Sequence, residues 1–108
     1  MTERVVTIPI ADVDMDDLRW KSRPVVITAR DETDPRVAEQ VGILQAAAHA
    51  LGERDMPVLT EFGGETDFEL RLIGRDGAVK RRFGSPVDAE TLFEIVDAMP
   101  MRQEEMKD

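Results

Sequence analysis

The sequence predicts an α/β domain in which helices pack on a mixed sheet of about four strands. Three features predict this class: a strand–helix–strand unit, an Asp-Gly hairpin and an amphipathic helix after the hairpin. The first unit favours parallel strands joined by a right-handed crossover, whereas the hairpin adds antiparallel strands. The last helix must cover a face of the same sheet to bury its apolar side. A plain α+β sandwich with another strand order is the alternative.

The first predicted unit begins with an uninterrupted apolar run. Residues 24–29 read PVVITA, which is typical of a strand buried on both faces. Asp34 is a good N-cap and Pro35 a good first helical residue, so a helix should begin there and end at Gly52. Residues 57–62 then form a second short strand. The apolar stripe of the helix consists of Val37, Val41, Leu44, Ala48 and Leu51.

The second predicted unit is a hairpin followed by a helix. Residues 67–75 alternate between apolar and polar side chains, and Asp76-Gly77 favours a tight turn into a partner strand at residues 79–83. Asp88 can cap a final helix, which Pro100 should end. The apolar side of this helix consists of Leu92, Phe93, Ile95, Val96 and Met99.

We expect the domain to span residues 18–101. An acidic extension at residues 1–17 should precede it, and a charged tail at residues 102–108 should follow it and fray. The apolar residues of the extension are interrupted by Thr7 and Pro9, so we expect neither a signal-peptide core nor a membrane span. A cytoplasmic protein is the expectation, or a periplasmic or secreted one if a leader has been removed.

The composition excludes several kinds of chemistry. The 108 residues include no cysteine and one histidine, so thiol catalysis, disulfides and Cys- or His-cluster metal sites are ruled out. That histidine, His49, lies off the apolar stripe, and we expect it at the surface. The net charge of -9 argues against nucleic-acid and anionic-membrane partners. We expect no cofactor and no metal site.

The element order is that of the thioredoxin core, and four segments carry a more specific resemblance. They are residues 18–24, 34–40, 73–80 and 95–102, of which the last, with its Asp-Ala-Met-Pro-Met-Arg sequence, is the most specific. These segments resemble the bacterial family catalogued as domain of unknown function 4174. That family is similar to peroxiredoxin-like domains of secreted matrix proteins. The resemblance implies a thioredoxin-like fold and carries no catalytic assignment.

Both functional marks of the redox fold are missing from the sequence. In thioredoxins the reactive thiol follows the first strand, where this chain has residues 30–35, RDETDP, without sulfur. Thioredoxins also place a proline just before the hairpin strand, where this chain has Glu65-Thr66-Asp67. We therefore predict that the protein is not a thiol-dependent oxidoreductase.

The loop after the first strand is one candidate binding site. It contains Arg30, Asp31, Thr33 and Asp34, and the resemblance places Thr66 in a neighbouring loop. The carboxylates of this loop could bind a hard cation or act as acid and base groups of raised pKa. Helix capping by the same acids is the simpler interpretation, and we favour it.

A second candidate binding surface joins the two ends of the domain. It contains Trp20, Arg23, Met99, Met101 and Arg102. Arginine stacks well on tryptophan, and methionine adapts to irregular partners. The simpler interpretation, which we favour, is that Trp20 and Met99 close the core while Arg102 caps carbonyls of the last helix.

The hairpin is basic within an acidic chain. Its cations are Arg71, Arg75, Lys80, Arg81 and Arg82, and we expect Arg71 and Arg81 to share one face of the sheet. They could dock an acidic partner or a phosphate. The interpretation that we favour is that they prevent edge-to-edge pairing with other chains.

We therefore predict a cysteine-free, non-catalytic module that binds a protein or small-molecule partner. Self-association into a homodimer is the second hypothesis. An enzyme that uses the loop carboxylates is the third.

The predicted apolar stripe can be tested by truncating Leu44. If Leu44 is buried, Leu44→Ala should lower the free energy of unfolding in urea by about 2–5 kcal/mol, because it removes apolar contacts and leaves a cavity. A loss below about 1 kcal/mol would show that the helix is placed in the wrong rotational phase.

Overall fold

The computed structural model of the protein describes residues 5–106, which form a mixed α/β fold around one five-stranded sheet. The strands are β1 (Thr7–Pro9), β2 (Val25–Ala29), β3 (Val58–Phe62), β4 (Glu69–Ile73) and β5 (Val79–Phe83). The helices are α1 (Met15–Leu18), α2 (Pro35–Gln45), α3 (Ala48–Glu53), α4 (Ala89–Asp97) and α5 (Pro100–Glu105), and a 3-10 turn spans Ile10–Asp12. The predicted α/β class is confirmed.

The strand order is β1-β3-β2-β4-β5, which makes the sheet mixed. β3 pairs in parallel with β1 and β2, whereas β4 pairs antiparallel with β2 and β5. The prediction of about four strands missed β1. This strand has only three residues and ends in Pro9, and proline is tolerated there because an edge strand can do without one ladder hydrogen bond.

The core lies on both faces of β2, all five residues of which are buried. On one face, the apolar side chains of α2, α3 and α4 pack against β2, including Leu44, Leu51 and Leu92. On the other face, Val26 packs with residues from the segment 10–18. β2 is therefore buried on both faces, as its apolar run predicts. No helix among residues 5–106 combines the length and apolarity needed to cross a membrane.

The first long helix begins as predicted but is divided in two. Asp34 caps it by accepting from the backbone N of Arg36 at 2.9 Å. The prediction of one helix up to Gly52 was wrong, because α2 ends at Gln45 and α3 begins at Ala48. Alanine has the highest helix propensity, so the helix propensities of Ala46 and Ala47 do not explain this break.

The C-terminal segment also differs from the prediction. Asp88 caps α4 as expected, by accepting from the backbone N of Thr91 at 3.3 Å. α4 ends at Asp97, just before Pro100, as predicted, but a further short helix, α5, which the sequence analysis did not predict, begins at Pro100. Proline fits the first helical position because the N–H that it lacks has no helical partner there. Residues 102–105, which the sequence analysis assigned to the charged tail, are helical in the structure.

A bulge changes the register of the hairpin. Ile73 pairs with Val79, but Leu72 pairs with Arg81, so Lys80 is the extra residue on β5. Arg71 consequently pairs with Arg82 rather than with Arg81. Arg71 and Arg81 therefore lie on opposite faces of the sheet, so the expectation that they share one face was wrong.

A buried glutamine supplies the next test of the fold. The side chain of Gln40 donates to Val87 O at 2.9 Å and accepts from Val87 N at 2.8 Å, and it is fully buried. Gln40→Met should lower the free energy of unfolding by about 2–5 kcal/mol, because two buried backbone groups lose their partner. The exposed neighbour variant Glu39→Met should stay within about 0.5 kcal/mol of the wild type. Equal effects of the two variants in urea unfolding would contradict this account.

Candidate functional site

The two predicted sets of site residues lie at opposite ends of β2. Residues 30–34 follow the carboxyl end of the strand, whereas Trp20 and Arg23 precede its amino end. Helix α5 brings Met101 and Arg102 to the amino end as well. The structure thus joins the members of the second set and keeps the first set apart from them.

The loop at the carboxyl end is occupied by turn and cap interactions. Asp31 accepts from both the backbone N and the Oγ1 of Thr33 at 2.8 Å. The side chain of Arg36 holds the pKa of the Asp34 carboxyl at about 2, and the backbone N–H of Thr33 lowers the pKa of Asp31. Within residues 5–106, no group of three or more acids and histidines is placed to hold a metal ion. These contacts support the capping interpretation.

The remaining residues of this first set are exposed. Arg30 Nε donates to Asp67 Oδ1 at 2.9 Å in a solvent-exposed ion pair. Thr66 is an exposed residue immediately before Asp67. Such an arrangement holds two loops together weakly.

The amino end of β2 is built around a group that we call the arginine cluster. Its members are Arg23, Arg54, Arg75 and Arg102 with the carboxylates of Asp55, Asp97 and Glu105.

Arg23 is the buried centre of the arginine cluster. Its side chain is 1% exposed and makes a two-bond contact with Glu105 of α5, with Nη1–Oε1 at 3.2 Å and Nη2–Oε2 at 2.6 Å. Nη1 also donates to Arg54 O at 3.0 Å. Because a buried guanidinium needs a carboxylate and further acceptors, these contacts hold α5 against the domain.

Arg75 connects three segments of the chain. Its Nε donates to Glu105 Oε2 at 3.0 Å, its Nη2 to Asp55 Oδ2 at 2.5 Å and its Nη1 to Trp20 O at 3.2 Å. The end of β4 is thereby tied to α5, to the loop after α3 and to the segment before β2.

The other half of the arginine cluster surrounds Asp97. Arg54 donates to both carboxylate oxygens, at 3.0 and 2.9 Å, and its guanidinium lies 4.3 Å from the centre of the Phe93 ring. Arg102 Nε donates to Asp97 Oδ1 at 3.2 Å. The prediction that Arg102 caps carbonyls of the last helix was wrong, because its described partners are this carboxylate, Glu105 and the carbonyl of Glu53.

Two residues of this region have a strained backbone. Among residues 5–106, the non-glycine residues with positive φ are Trp20 (φ 70°) and Asp55 (φ 54°). Trp20 N donates to Arg75 O at 2.5 Å, and Asp55 O accepts from Arg23 N at 2.7 Å. Bulky side chains rarely adopt this conformation, and they keep it only where the surroundings fix it. The arginine cluster supplies these surroundings.

An apolar cleft, which we call the Trp20 cleft, opens beside the arginine cluster. It has a volume of about 560 Å³ and is lined by Trp20, Arg23, Gly74, Arg75, Asp76, Lys80, Ile95, Ala98, Met99, Pro100 and Met101. The side chain of Trp20 is 60% exposed at its rim, and Met101 is exposed beside it. The expectation that Trp20 closes the core was wrong, whereas Met99 does pack partly against the core.

The carboxylates around the cleft are held in their ionised form. Arg23 foremost, with Arg75, lowers the pKa of Glu105 from 4.5 to about 2. Arg54 lowers the pKa of Asp97 in the same way. Lys80 lowers the pKa of Asp76 through a contact of 2.8 Å between Nζ and Oδ2.

Several residues of this site escaped the sequence analysis. Glu105 belongs to the expected charged tail, and nothing in its local sequence marks it as a partner of Arg23 across 82 positions. Arg75 and Lys80 were noted only as hairpin charges. The residues of the site come together through tertiary contacts, which spacing along the chain does not reveal.

Residues 14–67 and 59–105 match the family described as a domain of unknown function (DUF4174). Since the match covers most of the chain, the protein belongs to this family. The search of curated proteins found no match to this chain. Membership assigns no activity, so function has to be argued from the geometry of the site.

The pH dependence of stability tests the Arg23–Glu105 contact. Because folding lowers the pKa of Glu105 from 4.5 to about 2, its stabilisation is complete above pH 4.5 and is lost as the pH falls towards 2. Glu105→Gln should lower the free energy of unfolding at neutral pH by about 1–3 kcal/mol, below the loss for a fully buried partner because Glu105 is 30% exposed.

The difference between wild type and Glu105→Gln should therefore close as urea unfolding is repeated at falling pH. Asp67→Asn, which removes the exposed partner of Arg30, is the control and should cost less than about 1 kcal/mol. A difference for Glu105→Gln that stays constant down to the acid limit would contradict the assigned contact.

Proposed function

We propose that the protein is a cysteine-free, thioredoxin-like binding module that takes its partner at the Trp20 cleft and has no catalytic turnover. The strand order β1-β3-β2-β4-β5 supports the thioredoxin-like fold, because it places the strand–helix–strand unit and the hairpin in one sheet. The helices α2 and α4 on the same face also support it.

The observation that carries the proposal is the exposure of a strained tryptophan at the rim of an apolar cleft. Trp20 has a positive φ and is 60% exposed, so it gains little from burial while its backbone remains in an unfavourable region. Residues held in such conformations cluster at active sites, ligand clamps and switch regions. Tryptophan is also enriched among the residues that dominate binding energy.

The ionisation of the acids near the cleft supports the absence of turnover. Glu105 and Asp97 have lowered pKa values and are bound to arginines, so they are poor proton donors near neutral pH. The loop acids Asp31 and Asp34 also have lowered pKa values. Carboxylates that serve as general acids at neutral pH have raised pKa values instead.

A neutral apolar probe tests binding at this place. N-phenyl-1-naphthylamine should bind the wild type with a rise in its own emission, and it should quench Trp20, the one tryptophan of the chain. Met101→Ala should weaken binding about fivefold to tenfold, because it removes apolar contact area from the cleft. The control is Met106→Ala, which removes an exposed methionine outside the cleft lining and should leave binding unchanged.

Equal binding by both variants, or no binding to the wild type, would contradict the assignment of the cleft. In the same preparation, reduction of a protein disulfide or consumption of peroxide should not exceed the buffer rate. Reproducible turnover in either assay would contradict the non-catalytic part of the proposal.

A further inference from the structure

We propose that the Trp20 cleft selects an amphipathic anion: a small molecule with an apolar body that ends in one carboxylate or sulfonate group. This inference rests on the proposed function, because it names the ligand class for the same cleft. The apolar body would lie against Trp20 and the methionines, and the anionic group would lie at Lys80 and Arg75.

One part of the cleft lining is apolar. It is formed by the end of α4, the turn after it, the start of α5 and the Trp20 ring, through Trp20, Ile95, Ala98, Met99, Pro100 and Met101. Methionine side chains adapt to ligands of irregular shape. The volume of about 560 Å³ falls within the range of roughly 300–1,000 Å³ that small-molecule sites occupy.

The other part of the lining carries cations, of which Lys80 is the more accessible. Lys80 is the extra residue of the β5 bulge, and a bulge redirects a side chain relative to a regular strand. A Cβ atom at Gly74 would lie 2.5 Å from the Lys80 Cε. The Lys80 side chain thus passes close to residue 74, and its position depends on the absence of a side chain there.

Arg75 supplies a second cation that is already fixed in place. Its side chain is 11% exposed and is held by Glu105, Asp55 and the Trp20 carbonyl. A guanidinium has five N–H donors, and these three contacts engage one donor on each nitrogen. Among the described contacts, one N–H on each Nη remains for a ligand. An anion bound there would not have to order a flexible side chain first.

The balance of charge favours an anion over a cation. The arginine cluster and the cleft lining together contain Arg23, Arg54, Arg75, Lys80 and Arg102 against Asp55, Asp76, Asp97 and Glu105. Cations therefore exceed carboxylates by one in this region, whereas the whole chain has a net charge of -9. The cleft is a local exception in a negative protein, and a ligand of opposite charge to the lining fits it.

A pair of probes that share one aromatic body tests this inference. 8-Anilinonaphthalene-1-sulfonate carries a sulfonate that N-phenyl-1-naphthylamine lacks, and we expect it to bind the wild type about tenfold more tightly. Lys80→Met keeps an apolar side chain of similar length and should remove the preference for the anionic probe, so that the two probes then bind with similar affinity. Asp76→Asn should tighten the anionic probe, because it removes the carboxylate that competes for Lys80.

The matched control is Arg82→Met, which removes a cation from the same strand but from outside the cleft lining. It should leave the affinity for both probes unchanged. Equal weakening of the anionic probe by Lys80→Met and Arg82→Met would overturn the inference, because the attraction would then be non-specific. Equal affinity of the wild type for the two probes would overturn it as well, while leaving the proposed function intact. Failure of both probes to bind would overturn the proposed function itself.

Discussion

The structure around the Trp20 cleft depends on the burial of one guanidinium. Arg23 lies just before the central strand and is 1% exposed, and a charge at such a place destabilises the fold unless a carboxylate and other acceptors surround it. Glu105 provides the carboxylate from the opposite end of the chain. The buried charge is therefore neutralised only when α5 packs against the domain. Arg75 also binds Glu105 and donates to the Trp20 carbonyl, so it connects this ion pair to Trp20.

This constraint accounts for the form of the candidate site. Trp20 and Asp55 remain in left-handed conformations because Arg75 and Arg23 bind their backbone or side-chain oxygens. The start of α5 then completes the cleft wall with Met101. The resulting cleft is partly cationic and lies at the amino end of β2, at the opposite end of the strand from the loop of residues 30–34.

The sequence predicted the features that depend on local patterns. The apolar run of β2, the Asp34 cap and the hairpin were each evident from a few neighbouring residues. The prediction missed features set by distant contacts or by one inserted residue: the bulge at Lys80 reversed the expected face of the hairpin arginines. The exposure of Trp20 could not be predicted, because aromatic residues of a small domain usually pack in its core. The positive φ of Trp20 could not be predicted either, since it depends on Arg75, 55 residues away.

Amide hydrogen exchange in wild type and Glu105→Gln tests most directly whether one buried contact orders both ends of the site. The informative amides are Gln103 N, which donates to Met99 O at the start of α5, and Trp20 N, which donates to Arg75 O. We expect both amides to lose protection by a similar factor, while Val25 N, which donates to Pro57 O, keeps its protection. Loss of protection at Gln103 with unchanged protection at Trp20 would show that the strained tryptophan is held independently of the Arg23–Glu105 contact, and would contradict the account.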